Sequence, residues 1–199
     1  WRVGFRNRLR WLFYHHTVDA EAPGHAVEKY LEMGTPLGIG GRRRLVPLGC
    51  SDASRRSAEN LLRGQGIAAE DIAVGFCAGV GASVKARRWP MENFREVARR
   101  LLSGDGTMKI VLFGTEEDRK LNAFIRDGNP RIVDLAGKAT LEETFHLIRS
   151  MTAFLSNDTG PMHIAAALGR PVVAIFLSTD PKVLVGDDYE VEVLRGEAD

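Results

Sequence analysis

The sequence predicts an α/β protein whose core is a parallel sheet covered by helices on both faces. Three observations carry this. From residue 71 onward, short apolar runs alternate with helix-length segments. The runs are continuously apolar, as strands buried on both faces are, and lack the polar alternation of a half-wet sheet. Several helix-length segments also begin with capping chemistry. Strand and helix in strict alternation predict a doubly wound, Rossmann-like domain.

The elements follow in order. Residues 1–38 are mixed: basic and aromatic at first (WRVGFRNRLRWLFYHH), then an amphipathic helix over 25-HAVEKYLEM-33. Residues 39–70 carry the cluster GIGGRRR and a helix over 52–66, with Asp52 as its N-cap and Gly64 or Gly66 as its stop. This stretch reads as a linker into a second domain, which puts the division at 1–45 and 46–199. Strands are predicted at 72–79, 109–114, 131–137, 152–158 and 171–177, with helices at 91–103, 116–127, 141–150 and 160–169. Thr140 and Glu143 form a capping box, and Pro90 suits the first turn of the helix after Trp89.

Composition narrows the function classes. A hydrophobic fraction of 44% with 27% charged residues fits a globular chain with a substantial core. A net charge of +1 offers no overall electrostatic footprint for nucleic acid. No apolar run approaches the roughly 20 residues of a membrane-spanning helix. Cys50 and Cys77 have neither zinc nor disulfide spacing, which favours a reducing, cytoplasmic setting. The sequence opens on Trp1, within what reads as the end of a strand, so a longer protein is expected.

Ligands of open α/β sheets bind at the carboxyl ends of the strands. Three such ends are chemically loaded: the glycine-rich, basic 77-CAGVGASVKARRWP-90, the 136-AGKAT-140 before the capped helix, and the polar knot 158-DTGPMH-163. In the knot, Asp158 or Thr159 can cap the helix, Gly160 admits close approach, and Pro161 removes a surplus donor. The remaining amides and the helix dipole then suit an anion, with His163 near enough to add a hydrogen bond or charge. A plainer reading stands beside each point. Asp158 and Thr159 read equally as caps alone, Gly79 and Gly81 as a tight turn, and Lys85, Arg87 and Arg88 as a solvated face. Neither a complete G-x-G-x-x-G nor a P-loop is present. From the residues alone, the result is an α/β domain with a phosphate or nucleotide site.

The string NDTGPMHIAAALGRPVVAIF, followed by TDP at 179–181, resembles the signature of glycosyltransferase family 9, the heptosyltransferases of lipopolysaccharide core assembly. GVGASVKARRWPMENFREVARRL and VDLAGKATLEE resemble two further family motifs in the expected order. The segments 2-RVGFRNR-8 and 25-HAVEKYLEMGTPLGI-39 resemble the end of the family's first domain. The resemblance implies the second half of a GT-B glycosyltransferase, which binds a nucleotide sugar such as ADP-heptose and needs no metal or other cofactor. It implies an inverting transfer to a lipopolysaccharide core or related glycolipid, at the cytoplasmic face of the bacterial inner membrane, with no nucleic acid partner.

By the same resemblance, Asp158, Thr159, Gly160 and His163 would contact the donor's diphosphate and sugar. Gly79 and Gly81 belong to the glycine-rich loop, Arg87 or Lys85 takes the family's lysine position beside the phosphates, and Ala139 lines the adenine pocket. The catalytic base is expected upstream of this sequence. The chain departs from the family pattern at Phe176-Leu-Ser-Thr-Asp-Pro181, which lacks the usual Gly-Pro, and at Arg87, which replaces a lysine with a flat guanidinium fork. Two other readings carry different expectations. A GT-B nucleotide-sugar epimerase needs its own carboxylates in the cleft, and a non-catalytic nucleotide-binding module needs none. The basic opening segment, with Arg2, Arg6, Arg8 and Arg10, reads as strand and loop in preference to a membrane-surface helix, since it lacks an amphipathic period.

Overall fold

A computed structural model describes residues 2–6, 10–19, 24–41, 48–81, 87–186 and 190–196. They fall into two compact units, one from Trp1–Val46 with Asp180–Asp188 and the other from Pro47–Thr179 with Tyr189–Asp199.

In the first unit, β1 (Val3–Arg6) and β2 (His16–Asp19) pair in parallel, with Val3 opposite His16 and Arg6 opposite Asp19. Gly4 lies under the Tyr14 ring, which leaves no room for a side chain. Helix α1 (Ala26–Glu32) starts in a capping box built from His25: its Nδ1 accepts from the Val27 amide, and Glu28 accepts from the His25 amide.

The second unit is the α/β domain. Helix α2 (Asp52–Gly64) precedes β3 (Ala73–Cys77), α3 (Met91–Gly104), β4 (Lys109–Leu112) and α4 (Arg119–Arg126). Then come β5 (Ile132–Asp134), α5 (Leu141–Arg149), β6 (Ala153–Asn157), α6 (Gly160–Ala167) and β7 (Val172–Phe176). The residues Asp180–Asp188 that group with the first unit carry α7 (Pro181–Leu184), and β8 (Val191–Arg195) closes the sheet. All six strands are parallel, in the order β5-β4-β3-β6-β7-β8. Numbered from β3, this is the 3-2-1-4-5-6 order of doubly wound sheets, as the strand–helix alternation predicted.

Each central strand feeds two cores because successive side chains point to opposite faces. Ile110 and Leu112 of β4 pack with Phe76, Phe94, Ala98, Leu121 and Ile125 under α3 and α4. Val111 and the following Phe113 are buried outside that cluster, Phe113 meeting Phe154 at 5.3 Å between ring centres. Phe94 is fully buried and takes the edges of Phe76 at 6.1 Å and Trp89 at 5.2 Å. Gly75, at the centre of β3, sits against the Phe154 ring and Met151, where a Cβ would collide.

Several sequence expectations need correction. Ser51, not Asp52, caps α2: its hydroxyl accepts from the Ser54 amide, while Asp52 becomes the first helical residue and pairs with Arg55. Helix α2 ends at Gly64, and Gly66 takes the left-handed turn at φ +72. Pro90 is the N-cap of α3, not a first-turn residue. The helix predicted from residue 116 begins as a 3-10 turn over Glu116–Asp118. β8 was not foreseen. The Thr140–Glu143 capping box forms as read. Among the described residues, no helix is long and apolar enough to cross a membrane.

Helix α5 is tied to α2 by polar side chains. Glu142 accepts from the Ser54 hydroxyl at 2.7 Å and from the Ser51 amide, and these donors hold its carboxyl below the ordinary value. Glu143 is lowered likewise, first by the Ser57 hydroxyl and then by Thr140. A depressed folded-state pKa stabilises fully above the unfolded value near 4.5, and the contribution is lost as pH falls through the folded value.

Two stability predictions follow from this packing. Phe94→Ala should cost about 3–5 kcal/mol in denaturant unfolding, while trimming the exposed Leu141 to Ala should stay within about 0.5 kcal/mol. In thermal melts, Glu142→Gln should separate from the unmodified chain at neutral pH, and the gap should shrink as pH falls below 4.5.

Candidate functional site

The strand order reverses between β3 and β6, so the connections leaving their carboxyl ends diverge and leave a crevice. A cleft of about 670 Å³ opens there. Gly79, Val80 and Gly81 border it after β3, and Thr159, Gly160 and Pro161 after β6. Apolar side chains, among them Phe113, Leu135, Leu147 and Ile164, form its walls, and Glu116, Glu117 and Asp118 one polar end.

The knot folds as a strand-to-helix turn. Thr159 is the N-cap of α6, but its side chain caps nothing. Its hydroxyl turns back to Ser156 Oγ at 3.1 Å and the Asn157 carbonyl at 3.3 Å. The first turn of α6 therefore lacks a side-chain cap, Pro161 lies within it, and the space beside Gly160 Cα is open.

Asp158 is buried and already engaged. Thr179 donates its hydroxyl to Oδ2 at 2.6 Å, Arg87 approaches the same oxygen at 3.3 Å, and His163 Nε2 stands 3.9 Å from Oδ1. One carboxylate thus gathers the loops that follow β3, β6 and β7, together with α6. A buried charge without such partners would be costly. Arg87 remains about a third exposed (33%), so its charge also reaches the solvent side.

A Cβ on Gly79 or Gly114 would strike the Asp118 side chain, and Gly114 in addition has a positive φ of +150. The Asp118 carboxylate accepts from the Thr115 amide at 2.8 Å and hydroxyl at 3.0 Å. Burial pushes the Cys77 thiol up to about 11, so it stays protonated at neutral pH. Asn157, fully buried, donates to the Ala78 carbonyl at 2.8 Å and accepts from the Trp89 amide at 3.1 Å. Among the described residues, no three His, Cys, Asp or Glu side chains gather as metal ligands would.

The anticipated site residues fall into two groups. Gly79, Gly81, Ala139, Thr159 and Gly160 line the cleft, while Arg87 and His163 gather around Asp158, next to Thr159, and do not line it. Lys85 lies outside the described residues. Sequence reasoning quoted Asn157 and Thr179 within the signature without giving them a role, and passed over the acids Glu116–Asp118. Three consecutive acids directly after a strand were a legible signal; the roles of Asn157 and Thr179 need the fold. The arrangement suits an elongated ligand, with anionic groups at the α6 end, hydroxyls at the carboxylates and a flat apolar part between the walls.

Comparison with known proteins agrees with this fold. The sequence profile of glycosyltransferase family 9 (heptosyltransferase) matches residues 1–193. Lipopolysaccharide heptosyltransferase 2 of Escherichia coli K12 is 28% identical over 208 residues, covering 98% of this chain and 58% of that protein. Lipooligosaccharide heptosyltransferase 2 of Haemophilus influenzae is 37% identical over 114 residues, or 55% of this chain and 32% of that one. The structure of E. coli ADP-heptose lps heptosyltransferase II superposes with a TM-score of 0.78 at 26% identity, over 97% of this chain and 61% of that one. A glycosyl transferase family 9 structure from Veillonella parvula gives 0.82 at 23% identity, covering 98% and 56%, and shows the same GT-B-type fold. The chain therefore spans about 58% of the length of its full-coverage E. coli relative. On the match of its profile along residues 1–193, the chain belongs to glycosyltransferase family 9.

Proposed function

We propose that this chain holds the nucleotide-sugar donor of an inverting heptosyltransferase, which moves heptose from ADP-heptose to a lipopolysaccharide core or related glycolipid. The observation that carries this is the uncapped start of α6 beside the Arg87–Asp158–His163 cluster, at the point where the strand order reverses. On this reading residues 1–45 end the acceptor-side domain and 46–199 bind the donor. The reaction takes place at the cytoplasmic face of the inner membrane, with peripheral contact to its surface.

The cleft's polarity sets the donor's direction. Glu116 and Glu117 would repel a diphosphate but accept bonds from ribose hydroxyls, so the phosphates belong at the opposite end, by α6. The base lies between Leu135, Ala139 and Leu147. As the acceptor hydroxyl attacks the anomeric carbon, negative charge develops on the departing diphosphate. The first-turn amides of α6, Arg87 and His163 stabilise it where water is partly excluded. Asp158 keeps Arg87 and Thr179 in place and contributes no charge to the leaving group. The proton of the acceptor goes to a base outside the residues gathered here.

The test is calorimetric titration with ADP, ADP-heptose, a UDP-sugar and adenosine. ADP-heptose should bind more tightly than the UDP-sugar. Arg87→Ala and His163→Ala should each weaken ADP-heptose about tenfold and leave adenosine unchanged. If no nucleotide sugar binds, or neither substitution matters, the donor reading is wrong. Raising salt should weaken ADP far more than adenosine, because only ADP relies on charge.

A further inference from the structure

We propose that Asn157 is the positioning residue of this site: one carboxamide clasps both ends of the glycine-rich loop and so fixes Arg87 beside the start of α6. The inference rests on reading the cleft as the site of the donor's diphosphate.

The loop in question joins β3 to α3 between Ala78 and Trp89. Asn157 holds both of these residues, since its Nδ2 donates to the Ala78 carbonyl at 2.8 Å and its Oδ1 accepts from the Trp89 amide at 3.1 Å. The side chain has 0% exposure, so neither bond competes with water. Trp89 is held from its other side by its ring against Phe94. Two residues before this fixed amide stands Arg87, which meets Asp158, the neighbour of Asn157 itself. Consecutive residues at the end of β6 therefore hold residues 78, 87 and 89 in a closed circuit.

The chemistry calls for an amide. The site faces one acceptor and one donor at once, which a neutral carboxamide matches. A carboxylate would oppose the Ala78 carbonyl with a second acceptor, and alanine would leave both buried backbone groups unpaired. A protonated carboxyl, by contrast, reproduces the amide's pattern: its O–H donates to Ala78 and its carbonyl accepts from Trp89. Asn157→Asp is therefore a switchable variant. Burial and the facing carbonyl both raise its pKa, so the competent neutral form grows as pH falls.

The experiment measures ADP and adenosine affinities by calorimetry for the unmodified chain, Asn157→Ala and Asn157→Asp, with thermal melts alongside. Asn157→Ala should weaken ADP about tenfold or more while adenosine, which lacks the phosphates that Arg87 would meet, stays within about twofold. Adding Arg87→Ala to Asn157→Ala should cost less than it does alone, because the arginine is already displaced. Asn157→Asp should be defective near pH 8 and recover towards the unmodified chain at about pH 5.5. The titratable groups around it, Cys77, Arg87, Asp158 and His163, are common to both proteins, so the ratio of affinities isolates residue 157.

Unchanged ADP affinity in Asn157→Ala, or equal losses for ADP and adenosine, would overturn the inference. If Asn157→Ala fails to fold, the pH titration of Asn157→Asp decides: recovery supports the clasp, and a flat ratio overturns it. ADP binding by the unmodified chain with no effect at residue 157 sinks this inference alone. Failure of the unmodified chain to bind ADP sinks the donor reading and this inference with it.

Discussion

The reversal of strand order between β3 and β6 is the constraint on which the rest of the second unit depends. Parallel strands need crossovers, and crossovers are right-handed, so the connections on either side of the reversal leave to opposite faces of the sheet. α3 and α4 pack together on one side, and α5 packs against both α2 and α6 on the other. The loops at the reversal cannot close over each other. A cleft is thus a consequence of topology, and its depth follows from buried strands that present Phe113 and Leu135 at their ends.

Charge is arranged around that cleft in a consistent way. One end holds carboxylates tethered by local backbone bonds, as Asp118 is by Thr115. The other holds the start of an uncapped helix, behind which Arg87 and His163 meet Asp158. Asp158 sits beside Arg87 and the helix start, yet it is not there to greet an anion. Its burial and its bond to Thr179 mark it as an internal counter-ion that draws three loops together. An arginine at position 87 fits such a role, because a guanidinium can meet Asp158 with one nitrogen and present the others elsewhere.

Much of the fold was legible because buried parallel strands leave a continuous apolar trace. The strands β3 to β7 and the helices between them were read from that trace alone. β8 was missed for a physical reason: it is an edge strand, and its burial pattern alternates with exposed charged residues such as Glu192 and Arg195. Alternation after a polar stretch reads as a tail until a neighbouring strand is seen to pair with it. Capping errors were of one residue. Ser51 and Asp52 are both good caps, and only the bond from the Ser54 amide distinguishes them. Gly79 was read as a tight turn or as part of a donor-binding loop, but the side chain that forbids a Cβ there is Asp118, 39 residues further along the sequence.

By itself, the sequence determined the fold class and the family, because each is written in contiguous residues. Periodicity, capping boxes and the run DTGPMH are local properties and survive without coordinates. Tertiary structure alone decided what those residues do to one another. The partners of Asp158 come from residues 87, 163 and 179, and those of Asn157 from residues 78 and 89. Such contacts depend on which strands become neighbours, and a single chain's local pattern does not encode adjacency. The knot that looked like a ligand-binding motif is therefore two things at once: an open helix start that faces the cleft, and a buried pair, Asn157 and Asp158, that holds the surrounding loops in place.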